Sequence, residues 1–118
     1  DIHDIVIRNV TTSGRHHAVI CLATSPSVYN ITIDGVREAA ASTREACVKI
    51  YTGYGKGYKA GNLRNIEVRN VSSLGARYAV MVKADVKDVS FVNVRQAKEG
   101  GGVKLFEGNS ENLSLADP

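Results

Sequence analysis

One short phrase recurs five times along this chain of 118 residues, and no other feature constrains the fold as strongly. Each copy begins with a polar residue and then alternates apolar and variable positions, and the four longer copies end on Asn or Gly followed by Val. The copies are residues 4–10, 30–36, 65–71, 88–94 and 112–115. Their starts lie 26, 35, 23 and 24 residues apart, a period typical of solenoid proteins. The alternation predicts a half-buried strand in each copy.

A second apolar phrase begins 14 residues after the first, or 17 residues after it in the second repeat. Its copies are residues 18–22, 47–51, 79–83 and 102–106. Two strands per repeat at nearly constant separation predict parallel strands that stack repeat upon repeat. We therefore predict an all-β fold, a single-stranded parallel β-helix (solenoid) of about five coils. A leucine-rich repeat is disfavoured because its Leu-rich consensus and helical segments are missing.

The composition fits one packed domain, because 43% hydrophobic and 23% charged residues exclude a disordered chain. No apolar run approaches the roughly 18 residues of a membrane-spanning helix, so we expect no membrane partner. We expect residues 1–118 to form a single β-helix domain and to be the later coils of a longer solenoid. Neither end shows a capping helix, so we also expect exposed solenoid ends and self-association through them.

Stacking the repeats assigns each residue to a row that runs across the strands. The inward rows of the first strand position are Ile5, Ile31, Ile66, Val89 and Leu113, then Ile7, Ile33, Val68, Phe91 and Leu115. Those of the second are Val19, Val48, Val80 and Val103, then Cys21, Ile50, Val82 and Leu105. A further row holds Asn9, Gly35, Asn70 and Asn93. It falls where a tight corner tolerates a left-handed backbone, so we interpret it as an asparagine ladder.

The two cysteines, Cys21 and Cys47, are offset by three positions along the strand in these rows. At about 3.3 Å per residue their Cα atoms are roughly 10 Å apart, whereas a disulfide needs less than about 7 Å. We therefore expect two buried free thiols and no catalytic cysteine.

Function is expected on the outward rows. On the first sheet Asp34 lies between Arg8 and Arg69, either as part of a surface ion ladder or as a substrate-facing carboxylate. The outward rows of the second sheet are Ile20, Lys49, Met81 and Lys104, then Leu22, Tyr51, Lys83 and Phe106. This strip of cations and aromatic rings suits a sugar chain with its carboxylates on the lysines, and it would equally suit nucleic acid. The alternative is that a neighbouring segment or a partner chain covers it.

Two further groups are candidates for chemistry. Just before the second strand the rows gather His16, Glu45 and Arg77, with Arg15, Arg44 and Glu99 one position earlier. They form either a salt network or a catalytic margin, since a His beside a carboxylate can act as acid or base. The insertion 52–61, with two Tyr and two Lys among four Gly, has the stacking and cationic groups of a binding loop. No cluster has metal-ligand spacing, so neither a metal nor another cofactor is expected.

The order of these segments resembles the pectin lyase-like β-helix proteins, and within them the family 28 glycoside hydrolases, the polygalacturonases. In that family a Gly-His-Gly-Ile-Ser-Ile strand is followed by Gly-Val-Arg-Ile-Lys-Thr, a Gly-rich loop and Asn-Ile-Thr-Phe-Arg-Asn-Ile. Here residues 16–21, 47–52 and 65–71 take those places, with residues 53–61 as the loop. The resemblance covers residues 14 to about 83.

The resemblance implies that His17 matches the family's active-site histidine and that Lys49 matches its substrate-binding arginine. Tyr51 stands where the family has Lys, and Ala18 stands where it has Gly. The family's catalytic Asp residues lie on coils before the histidine, where this chain has only residues 1–13. Hydrolysis by that family's mechanism needs a pair of carboxylates, so the resemblance leaves enzymatic activity open.

From these observations we expect a carbohydrate-active β-helix segment, similar to a polygalacturonase, that contributes substrate-binding residues for an acidic polysaccharide. The net charge of +3 and the pI near 9.0 favour an acidic ligand, and nucleic acid is the less favoured partner. The alternative is a non-catalytic solenoid module with a structural, glycan-binding or partner-binding role. The expected catalytic residue is His17, and the expected substrate-binding residues are His16, Lys49, Tyr51, Tyr54, Lys56, Tyr58 and Arg77. The resemblance implies an extracellular or periplasmic location.

Overall fold

The computed structural model describes residues 1–13, 18–23, 27–41, 44–52 and 62–116, and these ranges contain strands and no helix. The strands are β1 Ile2–Thr12, β2 Ile20–Ala23, β3 Val28–Glu38, β4 Ala46–Tyr51, β5 Leu63–Ser73, β6 Tyr78–Lys83, β7 Val86–Gln96, β8 Gly102–Glu107 and β9 Ser110–Ala116. The described chain is therefore all-β, as the alternating pattern predicts.

The strands form two parallel sheets between which the chain alternates. The first sheet has the order β1-β3-β5-β7-β9, and the second has the order β2-β4-β6-β8. Neighbouring strands pair in parallel in both sheets. In the first sheet the predicted rows are confirmed. One of them runs through Ile5, Ile31, Ile66, Val89 and Leu113, and the other through Ile7, Ile33, Val68, Phe91 and Leu115.

Strands of the first sheet bend at corners where the backbone is left-handed. The first corner row consists of Asp4, Asn30, Asn65, Asp88 and Asn112, and the second corner row of Asn9, Gly35, Asn70 and Asn93. The Asn and Asp residues have φ between 51° and 58°, and Gly35 has φ of 90°. Short polar side chains tolerate this region because they form local hydrogen bonds, and Gly tolerates it because it has no Cβ. The recurring Asn, Asp and Gly residues therefore place the bends at the same point in successive strands.

The second corner row is the predicted asparagine ladder, with one interruption. Asn93 Nδ2 donates to Asn70 Oδ1 at 2.8 Å. Asn70 Nδ2 donates at 2.8 Å to Oδ1 of Asp34, because the next position in the row is Gly35 and has no side chain. The predicted ladder is thus confirmed between Asn70 and Asn93, and at Gly35 it is interrupted because Asn70 bonds to Asp34 instead.

The first corner row forms a second ladder, which the sequence analysis did not identify. Asn30 Nδ2 donates to Asp4 Oδ1 at 2.9 Å, and Asn65 Nδ2 donates to Asn30 Oδ1 at 2.6 Å. Asn112 Nδ2 donates to Asp88 Oδ1 at 2.9 Å. The signal was present in the sequence, since all five copies of the first phrase begin with Asn or Asp.

The core lies between the two sheets and is built from apolar rows of both. Phe91 of β7 is fully buried and stacks on Phe106 of β8, with ring centroids 5.4 Å apart. Around them the buried cluster draws Ile33 and Val68 from the first sheet and Ile50 from the second. Burying these side chains is the main favourable term in holding the two sheets together.

The register of the second sheet differs from the prediction by one residue in β2 and in β8. Ile20 pairs with Val48 and Leu22 with Ile50, so Ile20 and Leu22 continue the core rows in place of Val19 and Cys21. The shift also places Cys21 level with Lys49, two positions from Cys47 rather than three. Cys47 is a buried free thiol, as predicted.

The shift in β8 has a clear physical reason. Lys104 pairs with Val80 and Phe106 with Val82, in the places predicted for Val103 and Leu105. This register lets the Phe106 ring pack on Phe91. An aromatic ring buries more apolar area than the side chain of Leu or Val, so the register that buries Phe106 is favoured.

A buried carboxylate connects the end of a first-sheet strand to the segment before β6. Oε1 of Glu38 accepts hydrogen bonds from the Ser73 hydroxyl at 3.1 Å and from the backbone N–H groups of residues 74, 75 and 76 at 2.9 to 3.1 Å. Its Oε2 lies 3.4 Å from Nε of Arg44, and both side chains are buried. The ion pair is thus enclosed by the fold and helps to fix the connection between the sheets.

The Cys47 thiol borders this buried pair. Burial raises the pKa of Cys47 to about 12, and the carboxylate of Glu38 also raises it, against a lowering by the hydrogen bond with Ser73. The thiol is therefore neutral at physiological pH, as expected for a structural cysteine.

The edge strand β1 presents apolar side chains to solvent. Ile2 is 50% exposed, Ile5 37% and Val6 58%. Self-association through the ends of the sheets stays a prediction.

No helix long and apolar enough to cross a membrane occurs in the described ranges.

Candidate functional site

The outer face of the second sheet carries a group of polar side chains that we call the Lys–Tyr patch: Glu45, Lys49, Tyr51 and Lys83. Lys49 and Tyr51 are two residues apart on β4, so they point to the same face of the sheet. The parallel register places Tyr51 beside Lys83 of β6. The predicted proximity of Lys49, Tyr51 and Lys83 is therefore confirmed.

Glu45 joins the two lysines of the patch. Its Oε2 lies 3.2 Å from Nζ of Lys49, and its Oε1 lies 3.4 Å from Nζ of Lys83. Two ammonium groups from neighbouring strands thus converge on the two oxygens of one carboxylate. The patch has one more positive than negative charge when all three groups are ionised.

The electrostatics of the patch keep Glu45 ionised. The hydrogen bond from Lys49 holds the pKa of the Glu45 carboxyl below its ordinary value, against an opposing effect of partial burial, and Lys83 lowers it further. A group with a lowered pKa cannot hold a proton for a leaving group near neutral pH. Glu45 therefore suits a permanent anion and not a general acid.

Tyr51 adds an aromatic ring to the charged groups. The Nζ of Lys49 lies 4.6 Å from the centroid of the Tyr51 ring, within the range of a cation–π interaction. Tyr51 is half-buried, so part of its surface is accessible. An aromatic surface beside paired ammonium groups can contact an apolar face of a ligand while the ammonium groups bind its anion.

Part of the predicted outward strip is wrong. Ile20 belongs to the buried core, and Leu22 and Phe106 pack against that core, because the register of β2 and β8 is shifted by one. Lys104 lies in the row of Val80, with its Nζ 5.1 Å from the Phe106 ring centroid. Phe106 consequently offers no outward ring for a sugar.

Met81 shares a row with Lys49 and is fully buried, although it alternates with the core residues Val80 and Val82. The middle of β6 is thus buried on both faces. The burial of Met81 agrees with the alternative in which this face is covered, and it does not agree with an open strip along the whole sheet.

Arg77 lies just before β6 and contacts a different group from the one predicted. Its guanidinium carbon lies 5.6 Å from the ring centroid of Tyr78, and its backbone N–H donates to the carbonyl of Arg44 at 3.0 Å. The Tyr78 ring in turn packs over Gly102, where an added Cβ would lie 2.6 Å from Tyr78 Cδ1. Within the described ranges the carboxylate of Glu45 pairs with lysines, and so the predicted network of Glu45 with Arg77 is not formed.

Five of the predicted site residues lie outside the described residues: His16, His17, Tyr54, Lys56 and Tyr58. Their roles, including the catalytic role that the resemblance implies for His17, stay predictions. Of the predicted site residues, the structure brings together Lys49 and Tyr51, and it places Arg77 at the start of β6.

The expected ion ladder on the first sheet is right in register and wrong in its contacts. Asp34 aligns with Arg8 and Arg69 as predicted. However, Asp34 accepts a hydrogen bond from Asn70, and Arg69 pairs with Glu67 at 3.1 Å. The side-chain amide of Asn70, at 2.8 Å, therefore bonds to Asp34 where we expected an arginine to pair with it.

The acid–base chemistry of glycoside hydrolysis has few candidates in this region. Glu45 is held ionised by lysines, and Glu38 is buried with Oε1 occupied by protein donors. No three His, Cys, Asp or Glu side chains in the described part of the chain are placed to hold a metal ion. Neither Glu45 nor Glu38 is therefore placed to act as a general acid.

Sequence reasoning named Lys83 as part of the strip but did not foresee that Glu45 would bridge it to Lys49. The register gives no signal of this contact, because β4 and β6 are parallel and Glu45 precedes the start of β4 whereas Lys83 lies at the end of β6. No protein-family model matches this chain, and no curated protein or solved structure matches it either.

Proposed function

We propose that this chain is a segment of a parallel β-helix solenoid that binds an acidic polysaccharide through the Lys–Tyr patch, as a substrate-binding part of a protein similar to a polygalacturonase. The β-helix reading is supported by the alternation of the chain between two parallel sheets with one strand per repeat in each. It is also supported by the two corner rows, which repeat the same bends from strand to strand.

The observation that carries the binding proposal is the convergence of Lys49 and Lys83 on one carboxylate. The ammonium groups already hold the Glu45 carboxylate from two strands, so a sugar carboxylate can occupy the same position once Glu45 turns away. Charge-assisted hydrogen bonds of this kind contribute more than neutral ones. Tyr51 supplies the adjacent ring on which a sugar face can lie.

Binding without cleavage is the expected behaviour of this chain. Glu45 stays ionised and Glu38 is enclosed, so neither can protonate a glycosidic oxygen. The second candidate is accordingly the non-catalytic module, in which the same patch presents lysines to a glycan. A reducing-sugar assay on polygalacturonate tests the expectation that both candidates share, since release of new reducing ends would show cleavage and contradict binding alone.

The binding proposal is tested by measuring the affinity of the whole chain for polygalacturonate and for a neutral galactan by biolayer interferometry. Replacing both Lys49 and Lys83 by Met should weaken polygalacturonate binding by about tenfold or more, equivalent to about 1.4 kcal/mol or more. Glu45→Gln should tighten it, because the competing carboxylate is gone while the side-chain shape is kept.

The matched control is Lys87→Met on the first sheet, where Nζ lies 3.9 Å from Glu111 and the side chain is exposed. This variant removes one positive charge outside the patch, so it should change the affinity little. Equal losses in the control and the patch variants would indicate non-specific attraction between charges. Binding of the neutral galactan as tightly as polygalacturonate would contradict the proposal.

The solenoid itself is tested by the distance between spin labels at Val6 and Ser114. These residues share one row across the first sheet, four strand steps apart. At about 4.8 Å per step the backbone separation is roughly 19 Å. A distance distribution centred far above that value would contradict the stacked arrangement.

A further inference from the structure

A notch with a mixed polar and apolar lining forms on the first sheet where the second corner row is interrupted. It has a volume of about 270 Å³, and its wall includes Asn9, Thr11, Gly35, Arg37, Asn70 and Ser72. Sites for drug-sized ligands have volumes of roughly 300–1,000 Å³, so this one fits a single small unit. Its residues come from β1, β3 and β5, so the notch is separate from the Lys–Tyr patch.

The notch exists because Gly35 stands where the other strands place Asn. The neighbouring amides of Asn9 and Asn70 belong to the same row, and the missing side chain leaves a gap between them. A Cβ built at Gly35 would lie 3.1 Å from Oδ1 of Asn9. A longer side chain at this position would therefore fill the space.

The glycine also changes the surroundings of Arg37. In β7 the equivalent Arg95 donates from Nε to Oδ1 of Asn93, two residues earlier, at 3.2 Å. Arg37 occupies the same row as Arg95, but the residue two positions before it is Gly35. Arg37 therefore lacks the side-chain acceptor that Arg95 uses, and it is an exposed residue that lines the notch.

Hydroxyl groups lie on both sides of Arg37. Thr11 of β1 and Ser72 of β5 pair with Arg37 in the register, and both are exposed. The amide of Asn70 already donates to Asp34 and accepts from Asn93, so we assign it no ligand contact and count it only as part of the lining. The notch thus combines one guanidinium, two hydroxyls and the amide of Asn9.

We propose that this notch binds a single carboxylated sugar unit, a uronate, with its carboxylate on Arg37 and its hydroxyls on Thr11, Ser72 and Asn9. A guanidinium matches a carboxylate with two parallel hydrogen bonds. Arg37 is the one cationic residue in the lining of the notch, and a single cation suits a monoanion better than a phosphate dianion. The proposal holds whether or not the Lys–Tyr patch binds a polymer, because the two sites share no residue.

The test is a titration of the whole chain with free galacturonate, followed by amide chemical shifts in NMR. Shifts should change at Thr11, Arg37 and Ser72, and the neutral sugar galactose should leave them unchanged. Arg37→Gln should weaken binding at least tenfold, whereas the matched variant Arg95→Gln should not, since the Arg95 guanidinium is held by Asn93.

Gly35→Asn is the sharper variant, because it puts into the gap the residue that the other strands carry there. Asn adopts a left-handed backbone in the rest of this row, and the nearest contact of an added Cβ is the movable end of the Asn9 side chain. The backbone N of Asn9 lies 3.3 Å from that Cβ, so a shift of a few tenths of an ångström should be enough to keep the fold. The substitution should abolish the galacturonate shifts by filling the notch and giving Arg37 an acceptor.

Several results would overturn the proposal. They are the absence of shifts at tens of millimolar galacturonate, equal binding of galactose, equal binding of inorganic phosphate, and undiminished binding by Gly35→Asn. The Lys49→Met and Lys83→Met variants should leave the galacturonate titration unchanged. If they abolished it, the monosaccharide would be bound at the patch, and the notch proposal alone would fail.

Discussion

The first sheet sets its register with hydrogen-bonded corners, whereas the second sheet relies on apolar side chains. In the first sheet a residue at a corner must tolerate a positive φ, and its amide or carboxylate bonds to the next strand. In the second sheet β6 buries Ala79, Val80, Met81 and Val82 in succession, so neither face is marked as the outer one.

This difference shows that the sequence can fix the pairing register of a parallel sheet strongly or weakly. A slip of one residue exchanges the two faces of a strand. A slip in the first sheet would place Asn or Asp in the core and a β-branched residue at a left-handed corner. A slip of β6 in the second sheet would exchange Val80 and Val82 for the equally buried Ala79 and Met81, which costs much less.

The largest effect is expected where the two sheets are joined. Glu38→Ala should lower the free energy of unfolding by about 3–5 kcal/mol, because it leaves the buried Arg44 without this carboxylate and three backbone N–H groups without the oxygen that accepts from them. Urea unfolding followed by circular dichroism measures it. The control Glu67→Ala removes an exposed partner of Arg69 and should cost less than about 1 kcal/mol. Similar losses in the two variants would refute the role given to Glu38.

The next prediction tests the register of the second sheet. Phe106→Ala should cost about 2 kcal/mol, roughly half the value for a fully buried ring, because the half-buried Phe106 stacks on Phe91. Leu105→Ala should cost clearly less, since Leu105 lies in the row of Met81 and outside the main core. The reverse order in urea unfolding would support the alternative register, in which Leu105 points inward.

The corners of the first sheet should respond to substitution through the backbone. Asn70→Ala should lower the free energy of unfolding by about 1–2 kcal/mol, because Ala at a φ of 58° is strained and the side-chain hydrogen bonds with Asn93 and Asp34 are lost. Asn70→Gly relieves the strain and removes only the hydrogen bonds, so its loss should be smaller. If both variants unfold at the same urea concentration, backbone strain plays no part at this corner.

The smallest change in the free energy of unfolding is expected when a fall in pH protonates Glu45 on the outer face of the second sheet. The pKa of Glu45 is lowered by folding, so its contribution is present above the unfolded value near 4.5 and is lost as pH falls through the lower folded value. Because Glu45 is exposed, the change should stay under about 1 kcal/mol. Comparing the wild type with Glu45→Gln by urea unfolding at pH 7 and pH 3 measures it. A larger pH-dependent difference would mean that the patch is a structural element of the second sheet.

The fold of the first sheet could be predicted from the sequence because its pattern carries two independent signals. Alternation identifies the inward rows, and Asn or Gly at fixed places identifies the corners, as at Asn70 and Asn93. In β8 the segment Gly-Val-Lys-Leu-Phe can bury either Val103 and Leu105 or Phe106. That choice depends on the ring of Phe91 across the core, which no local pattern contains.

The site was predictable only in part for a similar reason. Lys49 and Tyr51 share a face through simple alternation, so their proximity follows from the sequence. The bridging position of Glu45 depends on side-chain rotamers in two strands. Glu38 gave no signal, because an inward carboxylate is stable only where backbone N–H groups and an arginine converge on it.

The corner rows also bear on how such a chain can change over generations. They contain only Asn, Asp and Gly. In the genetic code an Asn codon becomes an Asp codon by one base change, and an Asp codon becomes a Gly codon by one more. Each residue along that path tolerates the left-handed backbone. Repeats can therefore change their corner residues one base at a time and keep the bend at every step. The notch at Gly35 lies two such steps from a complete ladder, which makes it a feature that mutation can open or close gradually.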